Sequence, residues 1–472
     1  MCRISFESYE AAMEVTRQQF IDHLKSIVGS DHVHHSPEDL TTYAYDGTPG
    51  FNIPPLAIVQ PVTTEEVAQV IRYAYSNDVP IIPRGSGTGL SGGCVPVENG
   101  LVLQTVRMDK ILEIDTVNLT ALAEPGVITA NLAAAVEKLG LFYPPDPGSM
   151  KISTLGGNVA ENAGGLRCFK YGVTRDYLMG LEVVLPDGSI LKTGGKAKKD
   201  VAGYDLTRLF AGSEGTLGIV TRILVSLRPK PAATATMLVF FDSLVDAGGA
   251  VTRIVANGII PCTLEFLDNT VINCVEDNAK LGLLRDKAAL LLIQVDGHPQ
   301  QIRDEIEAAR GSCMAHGASQ ISVATSDAEA DQLVEARRAA LSSLARVSPT
   351  TILEDATVPR SELADMIAFI QSVAQKYKLR VGVFGHVGDG NLHPTFLTDE
   401  RNREEMLQVH KAAEEIFQKA IELGGTITGE HGVGIAKKRF LPAMIGEGGM
   451  EIMRRIKKVF DPKGLLNPGK VF

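Results

Sequence analysis

Apolar residues recur at helical spacing over residues 9–30 (Met13, Phe20, Leu24, Ile27, Val28) and stop at Gly29, which predicts an amphipathic helix. The rhythm then changes. Leu56-Ala57-Ile58-Val59 is a strand, Thr63-Thr64-Glu65-Glu66 is a helix start, and Val67, Val70 and Ile71 carry that helix to Asn77 before a second strand, Val79-Pro80-Ile81-Ile82-Pro83. Short strands follow at 101–103, 111–114 and 119–123, a helix at 130–139 closed by Gly140, and a strand and turn at 181–188. Beyond Pro229-Lys230-Pro231 the pattern alternates strands (236–241, 290–295, 379–385) with helices (244–257, 327–344). The tail over 451–460 reads as a basic amphipathic helix packed on the first domain. The class expected is α+β. Four segments are expected: an N-terminal helical segment (1–55), a first domain (56–231), a second domain (232–424) and a C-terminal segment (425–472) that turns back onto the first.

Length agrees, since 472 residues exceed one ordinary core. A net charge of −10, with no basic stripe, excludes a nucleic-acid partner. The six cysteines (Cys2, Cys94, Cys168, Cys262, Cys274, Cys313) form no C-x-x-C pair, which speaks against a self-contained iron–sulfur cluster or zinc ribbon and suits a reducing compartment. The opening residues 1–7 lack the basic-then-apolar order of a leader, and no apolar run is long enough to span a bilayer. A cytoplasmic protein is expected.

Glycine changes the picture most. Arg84-Gly85-Ser86-Gly87-Thr88-Gly89-Leu90-Ser91-Gly92-Gly93 can turn successive N–H groups inward to hold a pyrophosphate. Positions 87–92 match G-x-G-x-x-G, but a dinucleotide fingerprint needs a helix to begin inside it, and Gly93-Cys94-Val95-Pro96 forbids one. A second run of small and amide residues, 153–165, can lie against an extended cofactor, with Gly at each closest approach.

The last third holds the candidate chemistry. Gly385-His386-Val387-Gly388-Asp389-Gly390-Asn391-Leu392-His393 and Thr428-Gly429-Glu430-His431-Gly432-Val433-Gly434 offer imidazoles and a carboxylate on backbone too glycine-rich for helix. His386 leaves a strand, so the first two histidines are expected to converge across a turn. Three N/O ligands (His386, His393, Glu430) with no fourth make a catalytic metal site with an open position, and His431 is spare to move a proton. Zinc and manganese both suit such ligands. Asp389 and Asn391 are placed to orient the imidazoles.

With Gly212-Ser213-Glu214-Gly215-Thr216-Leu217-Gly218-Ile219-Val220 and Asn467-Pro468-Gly469 added, the order of these motifs resembles the vanillyl-alcohol-oxidase-type (PCMH-type) flavoproteins, over about residues 43–472. Within them it is most similar to the branch of glycolate oxidase D-subunits and D-lactate dehydrogenases. The resemblance implies a two-part FAD-binding domain, an α+β cap of the FAD-linked oxidase C-terminal type, and a C-terminal helical return. It implies that Pro83, Arg84, Gly85, Ser86, Gly87, Thr88 and Gly89 wrap the FAD pyrophosphate. Ser153, Thr154, Gly157, Asn158 and Gly164 line the flavin and ribityl side, Glu214, Gly218 and Ile219 hold the adenine half or its neighbourhood, and Asn467 returns to the flavin. Ser86 and Thr88 stand where relatives attach FAD through a histidine, so the FAD is expected to be non-covalent. Arg337 matches an arginine that grips the substrate carboxylate, although Val334 replaces the family's usual tryptophan.

The function these features imply is oxidation of a short D-2-hydroxy acid, D-lactate or glycolate, to the 2-oxo acid. The metal acidifies the hydroxyl, His431 takes its proton and flavin N5 takes the hydride. D-2-hydroxyglutarate is the alternative substrate, disfavoured because residues 351–359 lack the lysine those enzymes carry there. A flavin subunit active only inside an electron-transfer complex is a further alternative, and a zinc hydrolase a third that leaves the glycine loops unexplained. With no iron–sulfur motif, electrons are expected to pass to a redox partner, either an iron–sulfur subunit or an electron-transfer flavoprotein. A homodimer, and membrane attachment through a partner, are compatible with the sequence.

Overall fold

The computed structural model describes residues 6–472. The reading of the first residues as lacking a leader, and Cys2, fall largely or wholly outside that range. The first sheet has four strands, in the order Val33–His34, Ala57–Val59, Leu101–Gln104, Ile81–Arg84. The last three are parallel. Helix Thr64–Ser76 supplies the crossover; Thr63 Oγ1 caps Glu66 N–H at 3.1 Å, and the Glu66 carboxylate returns to Val62 N–H at 2.7 Å. Its buried face (Val67, Val70, Ile71, Ala74) packs on Ala57, Val59 and Leu101. Phe20, Ile21, Leu24 and Val33 enter that same core, so the segment before residue 55 does not stand apart from the first domain.

A second, antiparallel sheet of five strands runs Ile111–Asp115, Thr120–Ala123, Ile219–Ser226, Leu178–Val184, Ile190–Gly194. Val184 and Ile219 from this sheet pack into the first sheet's core. One departure from expectation lies between them: Leu155–Glu161, within the run of small residues, is a helix. Thr154 caps it through Gly157 N–H, and Gly156 is needed because a Cβ there would lie 2.6 Å from Pro125 Cβ.

From Ala233 onward the chain builds an eight-stranded sheet. Its central strands are buried along most of their length because both faces are covered, with Glu265 and Asp268 as buried acids among apolar neighbours. Val239, Phe241, Leu291, Ile293, Leu264 and Phe266 point to helices Leu244–Ala256, Pro299–Ala315, Leu363–Tyr377 and Arg403–Glu422. Leu238, Phe240, Leu290, Leu292, Leu267 and Phe384 point to helices Asn269–Ala279, Asp327–Arg338 and Ala340–Leu344. The single helix expected at 327–344 is thus two, broken at Ala339. The C-terminal helix runs Leu441–Phe460, longer than expected, with a kink at Gly446 (φ 72°). Past it the chain returns to the first sheet, where Ile81 N–H donates to Leu465 O at 2.8 Å and Asn467 N–H to Ile81 O at 2.7 Å.

Candidate active site

Strands Arg380–His386 and Asn391–Thr398 form a hairpin in which His386 opposes Asn391 and Phe384 opposes His393. Directly opposed residues share a face, so His386 and His393 are diagonal neighbours across the turn, as expected. Both are buried, at 5% and 3% exposure. Glu430 reaches them from the C-terminal segment, with Oε1 3.2 Å from His386 Nε2 and Oε2 3.9 Å from His393 Nε2. Two donors on one tetrahedral zinc stand roughly 3.3 Å apart, given bond lengths of about 2.0–2.1 Å, so the three side chains fit a cation with little movement.

His431 is stacked on His393, ring centroids 5.1 Å apart. Asp355 holds this stretch of chain. Its Oδ2 accepts the N–H groups of Gly429 (2.8 Å), Glu430 (2.9 Å) and His431 (3.1 Å) and the Thr428 hydroxyl (2.7 Å). Its Oδ1 accepts Asn391 Nδ2 at 2.5 Å. Asp355, His393 and His431 are also close enough to form a ligand set. With both Asp355 oxygens already taken by donors, the set on Glu430 is the one free to bind a cation.

The electrostatics follow from burial and neighbours. Burial by itself would lower the His386 pKa, but the Glu265 and Glu430 carboxylates outweigh it and hold it well above the ordinary value. For His393, burial and the neighbouring His431 and His386 outweigh the Asp355 and Glu430 carboxylates and push it down to about 3. His431 is lowered too, mainly by burial. Glu430, which burial would raise, is drawn down to about 2, chiefly by His386. Burial takes Asp389 up to about 7.

The glycine loops of the first domain meet this centre. A Cβ on Gly164 would lie 2.7 Å from Glu430 Oε1, so the second loop touches a ligand of the candidate cation. The first loop leans on the second, since a Cβ on Gly85 would lie 2.2 Å from Thr154 Oγ1. Arg84 is buried and donates to Tyr45 O at 2.8 Å. No helix begins among Gly85–Gly93, as the rejection of a dinucleotide fingerprint requires.

A model for the C-terminal domain of FAD-linked oxidases matches residues 230–471, and one for an FAD-binding domain matches residues 55–194. The glycolate oxidase subunit GlcD of Bacillus subtilis is 52% identical over 451 residues, 96% of each chain. The chain belongs to the FAD-linked oxidases. The corresponding GlcD subunit of Escherichia coli K12 is 38% identical, over 98% of this chain and 92% of its own. A D-lactate dehydrogenase of Anaerostipes hadrus is 37% identical, over 88% of this chain and 89% of its own. In structure, p-cresol methylhydroxylase superposes with a TM-score of 0.79 at 18% identity, covering 96% of each chain, which shows the fold.

This FAD-linked oxidase carries residues that fit its cofactor. Around the two loops, Ser91 Oγ, Glu161 Oε2, Arg84 Nε and Asn467 Oδ1 are buried without a hydrogen-bond partner, polar atoms that a large polar ligand can satisfy. Several residues expected at FAD also have partners within the protein. Ile219 is core, 2% exposed, and Gly218 packs against Val183 because a Cβ there would lie 2.4 Å from Val183 Cγ1. Ser153 and Asn158 both hydrogen-bond Thr129, at 3.2 and 2.7 Å. Glu214 accepts the N–H groups of Val433 and Gly434, and Asn467 donates to Gly93 O and Glu214 O. These two tie the C-terminal segment to the first domain, and Asn467 Oδ1 stays without a partner.

Arg337 is 5% exposed, its guanidinium 4.8 Å from the Phe384 ring centre, with Nη2 2.5 Å from Glu265 Oε2. It faces a carboxylate of its own chain, not an open surface. Its neighbour Arg338 is paired to Asp146 at 2.7 Å, joining the two domains. Asp355 and Glu265 are the residues that sequence reading missed. Glu265 could have been found, because it is an acid at an inward position of Thr263–Asp268, a strand buried throughout.

Proposed function

We propose that the chain oxidises a short D-2-hydroxy acid, D-lactate or glycolate, to the 2-oxo acid, with a divalent cation, zinc or manganese, held by His386, His393 and Glu430. The observation that carries this is the meeting, at Gly164, of the FAD-side loop with the Glu430 carboxylate. The relatives named above support the substrate class. When bound, the cation supplies Lewis-acid charge to the substrate hydroxyl and the non-covalent flavin supplies the hydride acceptor. His386 and His393 offer Nε2, and Glu430 neutralises charge between them. His431 Nδ1 is turned to Asp355, 3.8 Å from Oδ2, which leaves Nε2 to take the hydroxyl proton. Asp355 fixes the backbone of residues 429–431 and thereby the height of that nitrogen. His431 is largely buried, its side chain 12% exposed, which limits competition of bulk water for the proton.

The electrons leave to a partner protein. The described cysteines are scattered, and GlcD relatives are named as subunits. Among the described residues no helix is long and apolar enough to cross a membrane.

Anaerobic mixing with matched D- and L-2-hydroxy acids, followed at roughly 450 nm where oxidised flavins absorb, tests the assignment. Bleaching by D-lactate or glycolate, abolished by a chelator and restored by zinc or manganese, is expected. No bleaching by any short 2-hydroxy acid would overturn it.

A further inference from the structure

We propose that Glu265 is the positioning residue of the cation site, holding His386 by its Nδ1 while Arg337 balances the charge. The inference rests on the cation assigned above. Glu265 and His386 are cross-strand partners, so register alone puts their side chains on one face. Oε1 lies 2.6 Å from His386 Nδ1. That contact occupies Nδ1 as the donor and directs Nε2 at Glu430 and the cation.

The surroundings explain why the carboxylate needs a cationic neighbour. Glu265 has no exposed surface, and Leu267 and Phe384 lie on the same sheet face. An isolated carboxylate there would be strongly disfavoured. Arg337 is the cation that reaches it, its Nη2 2.5 Å from Oε2 without the alignment of a hydrogen bond, so the contact is an ion pair. Helix Asp327–Arg338 delivers that arginine from the covering layer, and Phe384, whose ring it overlies, fixes its plane. The chain Arg337–Glu265–His386 thus ends in an imidazole whose tautomer, tilt and basicity are set from behind. Arg337 is assigned here to Glu265.

The test uses the FAD-loaded enzyme, stripped with a chelator and titrated with Zn(II) against a chromophoric competitor, then with Co(II) read by its visible bands. Glu265→Gln keeps the shape and an acceptor but loses the charge. Its zinc affinity should fall roughly 10–100-fold, with a changed Co(II) spectrum and unchanged FAD content. Arg337→Met should also weaken zinc, and the double variant E265Q/R337M, which removes both buried charges, should lose less than the sum of the two. The double variant also serves if Arg337→Met alone fails to fold. Zinc affinity and Co(II) bands in Glu265→Gln indistinguishable from wild type would overturn the inference while leaving the function intact. If Arg337→Met raises KM with zinc binding unchanged, the arginine serves substrate instead. If wild type takes up no cation that His386→Ala abolishes, the cation assignment falls, and this inference with it.

Discussion

The Glu214 carboxylate accepts the backbone N–H of Val433 at 2.7 Å, a buried hydrogen bond across 219 positions of sequence. Its other oxygen accepts Gly434 N–H at 2.8 Å. These amides lie just past Glu430 and His431, so an acid of the first domain clamps the segment that bears the proposed ligand and the proposed base. In Glu214→Gln an amino group meets one amide donor head-on, and the loss should be about 1–3 kcal/mol of stability. A lower urea midpoint and faster tryptic cleavage at Lys437 or Lys438 would show it. An unchanged midpoint would place the clamp elsewhere.

Glu161 lies against the same segment; a Cβ on Gly432 would be 2.2 Å from its Oε2, which has no hydrogen-bond partner. Burial, then the charges of Glu214 and Asp46, push its carboxyl well above the usual range. Burial also raises Glu214, but with an amide on each oxygen it is the member that stays ionised, and Glu161 carries the proton. Cys94, whose thiol burial pushes up to about 12, adds no charge. A carboxyl raised in the folded state contributes stability fully below its unfolded pKa of about 4.3 and loses it as pH rises through the folded value. Glu161→Gln is neutral throughout, so its Tm should gain on wild type as pH rises from about 5 to about 8. A Tm difference independent of pH would mean that Glu161 is ionised across that range.

His431→Ala should slow flavin reduction by roughly 10²–10⁴-fold while FAD and the cation stay bound. Asp355→Asn leaves one acceptor oxygen for donors on both sides, so an amino group must face either Asn391 Nδ2 or the backbone N–H groups of residues 429–431. It should displace Glu430 with His431 and cost roughly 10–100-fold in cation affinity as well. Stopped-flow absorbance and metal analysis separate the two variants, and equal metal content with full activity in Asp355→Asn would remove its role.

Much of this site was legible because its chemistry sits beside punctuation. His386, His393, Glu430 and His431 lie in glycine-rich stretches that cannot be helix, and a seven-residue spacing across Gly388 and Gly390 already implied a turn. The loops were legible for the same reason. Glu265 could have been singled out as an acid in a buried strand, but its pairing to His386, like that of Asp355 to a segment more than 70 residues away, is invisible locally. Helix Leu155–Glu161 escaped because two glycines argue against helix, whereas close packing on Pro125 demands the first of them, Gly156. The side chain of Ile219, which the resemblance puts near the adenine half, lies in the core.

No histidine stands in the first loop, where Ser86 and Thr88 take its place. Acid precipitation should therefore leave the yellow colour in the supernatant and a colourless pellet. Colour retained in the pellet after washing in denaturant would demonstrate a covalent link at some other side chain.

Gly164 tests whether the two halves of the site act as one. A methyl group there would lie 2.7 Å from Glu430 Oε1 and 3.0 Å from Cys168 Sγ, closer than van der Waals contact allows. The loop cannot retreat easily, because a Cβ on the adjoining Gly165 would already lie 2.3 Å from Asp146 O. The Glu430 carboxylate is the movable partner, and it would swing away from the imidazoles. Gly164→Ala should therefore keep its FAD and its Tm yet lose cation, with flavin reduction partly recovered at high zinc or manganese. Loss of FAD with the cation retained would instead place Gly164 against the flavin alone and detach the loop from the ligand set.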